Sequence, residues 1–158
     1  MQPNDEYWME QALLLAQQAG GIGEVPVGAI LVHQGAIIGQ GFNSPISNLD
    51  PTAHAEINAI RDAAKRIGNY RLIDSTLYVT LEPCSMCAGA LVHARVGRVV
   101  FGAREPKAGA LESRQAFLTN DWLNHKVSWE GGVLGERCSE QLSLFFKQRR
   151  KQRKELEP

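Results

Sequence analysis

Two short stretches hold residue types that do chemistry together: His54-Ala55-Glu56 and, after 26 intervening residues, Pro83-Cys84-Ser85-Met86-Cys87. Each stands at the start of a segment with helical character, so Cys84 and Cys87 fall at i and i+3 and can grip one ion from the same side. His54 and Glu56 lie about 200° apart around a helix axis; they cannot both serve a site beside the helix, but they can share one off its N-terminal end. Two helix N-termini aimed at one point favour thiolates, the form that metal ligation requires. Two thiolates and one imidazole make three donors. A structural zinc site closes with four protein ligands, whereas a catalytic one leaves a position for water. The expectation is a zinc that lowers the pKa of bound water from about 15.7 to about 7, with Glu56 as the proton carrier adding roughly 10²- to 10⁴-fold.

The elements that must position these residues follow from periodicity. Asp5 to Ala19 repeats apolar residues at spacings of three and four and reads as a helix, which Gly20 and Gly21 stop. Pro26 to His33 and Ala36 to Phe42 are rich in Val and Ile and are joined by Gln34-Gly35, which predicts an antiparallel hairpin. Ala53 to Ile67 reads as an Ala-rich helix that Asp50 or Thr52 could cap. Thr76 to Leu81 and Val96 to Gly102 read as strands on either side of a helix from Cys84 to about Ala94, an order that implies a parallel crossover. A short helix is expected near Ser113 to Leu118 and a last short strand at Val127 to Trp129. A terminal helix, 135 to about 154, should turn Cys138, Leu142, Phe145 and Phe146 inward.

A chain of 158 residues buries about 69% of its unfolded surface, enough for one core, and 44% hydrophobic residues exclude a disordered or low-complexity chain. Residues 1–158 therefore read as a single domain. Three cysteines make an oxidised scaffold an unfavourable reading and reduced thiols in the cytoplasm the better one. The first ten residues carry Asp5, Glu6 and Glu10 but no Lys or Arg, the wrong charge for a secretory signal, and no apolar run reaches membrane-helix length. The 17 basic and 17 acidic residues cancel overall but not locally: residues 1–60 hold six acids and no Lys or Arg, while 147–158 hold six basic residues and two acids. A polyanionic partner would be met by that basic end.

The paired motifs H-A-E and P-C-x-x-C form the zinc nucleobase deaminase signature. With EVPVGAILV, DPTAHAEINAI, the stretch from NYRLIDSTLYV to VVFGAR, and FFKQRRK, the chain resembles the bacterial tRNA-specific adenosine deaminases, a branch of the cytidine/deoxycytidylate deaminase superfamily. The resemblance implies an α/β fold of three layers, α/β/α, with a mixed five-stranded sheet flanked by helices. It also implies one zinc ion per chain, a homodimer, and conversion of adenosine to inosine at the first anticodon position of tRNA. Carried over by position, His54, Cys84 and Cys87 become the zinc ligands and Glu56 the proton shuttle. Asn43 becomes a contact to the extruded base, and Glu105, Lys107, Phe145, Arg149 and Arg150 further substrate contacts. Two places depart from the family pattern: Glu105 stands where Asp is usual after FGAR, and GALESRQAF replaces a Gly-Ala-Ala-Gly-Ser-like continuation.

Plainer readings stand beside these. The two cysteines could be a redox or purely structural pair, Cys138 an inert thiol or a fourth ligand, Asn43 a turn residue, and Lys147 to Lys154 a solvated helix end. The competing functions are a zinc deaminase of a free base or nucleotide, and a non-catalytic zinc module that binds RNA.

Overall fold

The computed structural model describes residues 3–156. In chain order the elements are α1 (Asp5–Gly21), β1 (Gly28–His33), β2 (Ala36–Phe42), α2 (Ala55–Ile67), β3 (Thr76–Leu81), α3 (Ser85–His93), β4 (Arg98–Ala103), a 3₁₀ turn (Phe117–Thr119), β5 (Ser128–Gly131) and α4 (Gly135–Leu156). The strands form one mixed sheet in the order β2-β1-β3-β4-β5, antiparallel across β2-β1-β3 and parallel across β3-β4-β5.

Alternation along the central strands fills both faces. Ala29, Leu31, Leu77, Val79, Val99 and Phe101 pack with α2 and α3, whereas Ile30, Val32, Tyr78 and Val100 pack with α1 and with Cys138 of α4. That two-sided burial, with side chains pointing alternately to opposite faces, produces the three α/β/α layers the sequence implied. The hairpin turn has positive φ at both Gln34 (50°) and Gly35 (74°), the twist that joins two antiparallel strands through two residues.

The contact that matters most for the site is α2 against β2. Gly39 and Gly41 face Ala59 and Ala63, and an added Cβ would meet α2 backbone at 2.6 Å in either place. The helix can lie this close only because both surfaces are small, so its N-terminus sits against the sheet end. No helix among the described residues is long and apolar enough to cross a membrane.

Boundaries depart from expectation in informative places. β1 begins at Gly28, not Pro26, and β4 at Arg98, not Val96. α1 runs through Gly20 and Gly21 and stops at Ile22, followed by Gly23 at φ 84°. α2 begins at Ala55, because Asp50 spends its carboxylate on the Thr52 amide and hydroxyl instead of capping the helix. The helix expected near 113–118 shrinks to the 3₁₀ turn, since the Arg114 and Phe117 amides donate to the Gly109 and Ala110 carbonyls and not to the carbonyls four residues back. α4 packs through Cys138 and Leu142 and then runs past the body, so Phe146 is 42% exposed rather than inward.

Candidate zinc site and substrate cavity

His54 and Cys84 are the N-cap residues of α2 and α3, and neither side chain caps its own helix. Both are thereby free to turn toward one another. At α2 the missing cap is supplied from across the sheet end, where the Ala55 amide donates to Asn43 Oδ1 at 3.1 Å. Cys87, the third residue of α3, is fully buried and completes the cluster.

Both sulfurs lie 3.6 Å from His54 Nδ1, and all three donor atoms fall within 4.8 Å of one another. A tetrahedral ion about 2.05 Å from nitrogen and about 2.3 Å from sulfur separates those two ligands by about 3.6 Å, so the donor set fits zinc in kind and in spacing. All three cysteines are free, and Cys138 lies in the core on the opposite face of the sheet, where burial pushes its thiol up to about 11. It is no fourth ligand. A hydrogen bond from the Cys87 thiol, aided by His54 and opposed by burial, holds Cys84 down to about 4. Cys87, sharing that proton with Cys84 and buried, is raised.

Glu56 is the second residue of α2 and 4% exposed; burial pushes its carboxyl above the usual carboxylate range. It stands beside the cluster without joining it. Both lie at a cavity of about 180 Å³ whose lining also includes Val25, Val27, Asn43, Leu81, Glu82, Glu105 and Ala108. Drug-sized ligands occupy roughly 300–1,000 Å³, so this space suits one heterocycle with the rest of a larger substrate outside.

Two buried acids that sequence reasoning overlooked hold the cavity walls. Glu24, 2% exposed, accepts from the Ile46 and Ser47 amides and the Ser47 hydroxyl, fixing the loop that carries Asn43 to His54. Glu82, also 2% exposed, accepts from the amides of Glu105, Leu111, Glu112 and Ser113 and from the Ser113 hydroxyl. Burial opposes ionisation of both, but these hydrogen bonds prevail and hold both below the ordinary carboxylate range. The available signal was a lone acid inside an apolar run, EVPV and TLEP.

Of the residues singled out from sequence, His54, Cys84, Glu56, Asn43 and Glu105 meet at this cavity, with Cys87 behind. Lys107, Phe145, Arg149 and Arg150 do not line it. Lys107 is exposed, its amide donating to Glu105 Oε1. Arg149 lies over the Phe145 ring at 5.2 Å, Phe145 packs edge-on against Phe146, and Arg150 is exposed.

A three-layer fold with a His/Cys/Cys cluster and a buried carboxylate at one small cavity defines a hydrolytic deaminase of the zinc type. The chain belongs to the cytidine and deoxycytidylate deaminase family, whose zinc-binding region matches residues 2–103. Within it, the chain is 54% identical over 151 residues to the tRNA-specific adenosine deaminase of Haemophilus influenzae, covering 95% of this chain and 87% of that one. It is 45% identical to the tRNA-specific adenosine deaminase of Bacillus subtilis, covering 95% and 93%. A solved structure from studies of A-to-I editing by tRNA:A34 deaminases at the wobble position superposes with a TM-score of 0.83 at 42% identity, covering 85% of this chain and 98% of that one.

Proposed function

We propose that this protein hydrolyses adenosine to inosine at the wobble position of tRNA, with residues 1–158 acting as one deaminase domain. The observation that carries the substrate reading is the 54% identity over 151 residues to a tRNA-specific adenosine deaminase. The chemistry is supported by the geometry. His54, Cys84 and Cys87 would hold one zinc ion per chain. When bound, zinc supplies the Lewis acidity that makes hydroxide available near neutral pH.

Glu56 moves the protons. Its carboxylate takes one from water and delivers it to the ring nitrogen next to the carbon under attack; it then takes the remaining proton from the newly added hydroxyl and gives it to the departing amino group, so adenosine and water give inosine and ammonia. A carboxyl whose pKa is raised by burial suits both roles, since it holds a proton more firmly than an ordinary carboxylate and so is the better carrier between water and base. Asn43, fixed through Oδ1 by the Ala55 amide, and Glu105 stand on the walls where the base enters. Val25, Val27 and Leu81 supply the apolar surface around it.

A base must leave its stack to reach this cavity, which costs a few kcal/mol in a duplex and least in a single-stranded loop. An anticodon loop meets that condition. The basic end of α4, with Arg149 and Arg150, and the exposed Lys107 supply phosphate contacts, and Phe145 supports Arg149. The protein works in the cytoplasm as a homodimer, a reading that rests on the family resemblance. The test is incubation with total tRNA, with free cytidine and with guanine, followed by mass analysis. Inosine in tRNA alone is the expected result; uridine or xanthine without inosine overturns the substrate assignment.

A further inference from the structure

Glu82 directly follows β3 and stands two residues before Cys84, so one short turn carries both a zinc donor and a buried acid. Among the described residues no ion pair reaches Glu82. Oε1 accepts from the Glu105 amide at 3.1 Å and from the Ser113 hydroxyl; Oε2 accepts from the amides of Leu111, Glu112 and Ser113 at 3.1, 2.8 and 2.9 Å. Successive amides aimed at one oxygen form an anion-binding nest, here filled from within. The segment has closed tightly on its occupant. An added Cβ at Gly109 would run into the Glu82 carboxylate and would stand 2.6 Å from the Glu105 carbonyl. A further tie joins the Ala110 amide to the Pro83 carbonyl at 2.9 Å.

The wrapped segment includes Glu105 and Ala108, which line the cavity together with Glu82 itself. With five donors engaged, the Glu82 carboxylate has nothing left to offer a substrate, yet it decides where that wall stands. We propose that Glu82 is a positioning residue: by gathering residues 105–113 around its carboxylate it fixes the wall that receives the base, and so sets substrate binding through the place of that wall. The proposal rests on the deaminase reading for its kinetic consequence and on the hydrogen bonds for its structural one.

Glu82→Gln separates the two oxygens. The amide oxygen can keep the three amides of 111–113 while its NH₂ faces the Ser113 hydroxyl, which can turn to accept, and the Glu105 amide, which cannot. The lost bond is the one that anchors Glu105. In zinc-loaded enzyme, KM for tRNA should rise about tenfold, the equivalent of one hydrogen bond, with kcat within about threefold of wild type and zinc content unchanged. Amide hydrogen exchange should quicken over 105–113 and stay the same over 43–54. Gly109→Ala disturbs the same wall with Glu82 intact and should give the same KM rise, which covers the case in which Glu82→Gln fails to fold. A wild-type KM in both variants, or a loss confined to kcat, overturns the proposal. Unchanged exchange over 105–113 does so whatever the substrate proves to be, whereas a wild-type enzyme inactive on tRNA overturns only the substrate reading.

Discussion

The donor cluster and the basic end of α4 are both groupings of charge-bearing side chains, but the chain builds them in opposite ways. His54 and Cys84 are N-caps at the ends of β-sheet connections, with α2 lying directly on the glycines of β2, so their side chains have one place to go. Arg150 and its basic neighbours project from the outer turns of a helix that has already left the core. A site made of helix starts demands geometry and fails abruptly. One made of solvated cations demands only a potential and weakens by degrees.

The largest effects should come from breaking the centre. Cys84→Ser removes a thiolate and should lose the metal, read by elemental analysis, with deamination falling below detection. Glu56→Gln should retain zinc and lose at least about 10³ in kcat, since it removes the proton carrier while keeping the volume. Were that variant to keep its turnover in a zinc-loaded protein, Glu56 would be a structural group and the proton scheme would go.

Next in size is the support beneath the centre. Gly41→Ala places a Cβ 2.6 Å from the Ala59 amide nitrogen and 2.7 Å from the Ala55 carbonyl oxygen, atoms of the α2 backbone that cannot swing aside. Overpacking of this kind costs about 1–3 kcal/mol, visible as a lower unfolding midpoint. Because α2 carries His54 and Glu56 at its start, zinc affinity should fall with it. An unchanged midpoint and affinity would mean that α2 does not need to lie so close.

How much of this was legible follows the same division. The donors could be read because a helix repeats every 3.6 residues and an N-terminus has a fixed polarity, so a short motif carries its own geometry. The parallel run of β3 and β4 was within reach too, since strand, helix, strand implies a parallel crossover; the order of the five strands was not. Nothing local announced the work of Glu24 and Glu82, whose partners lie 22 to 31 residues away and are mostly backbone amides with no sequence identity to read. Nor could Phe146 be told from a core residue, because helical periodicity does not say where a helix outruns the body that it packs on.

The rim should respond in smaller, graded steps. Arg150→Ala should leave kcat at saturating tRNA unchanged and weaken binding at moderate salt. It should also flatten the salt dependence by about 0.7 in log affinity against log salt for the one single-strand phosphate contact removed. A slope equal to wild type would take Arg150 out of the interface and leave it a solvated helix end.

The mildest prediction concerns Glu24 and separates the two loops of the cavity by pH. Its carboxyl is lowered in the folded state because the Ser47 amide and hydroxyl and the Ile46 amide outweigh the penalty of burial, with Arg149 adding attraction. A depressed carboxylate contributes stability that is fully present above its ordinary value of 4.5 and is lost as pH falls through the lower folded value. The unfolding midpoint of wild type should therefore drop more steeply than that of Glu24→Gln as pH falls below 4.5, and the two curves should approach one another at the acid end. Above that window the variant should be the less stable, since an amide cannot accept from all three donors. Parallel acid limbs would show that Glu24 holds its loop by shape and not by charge, and the likeness to the Glu82 wall would end there.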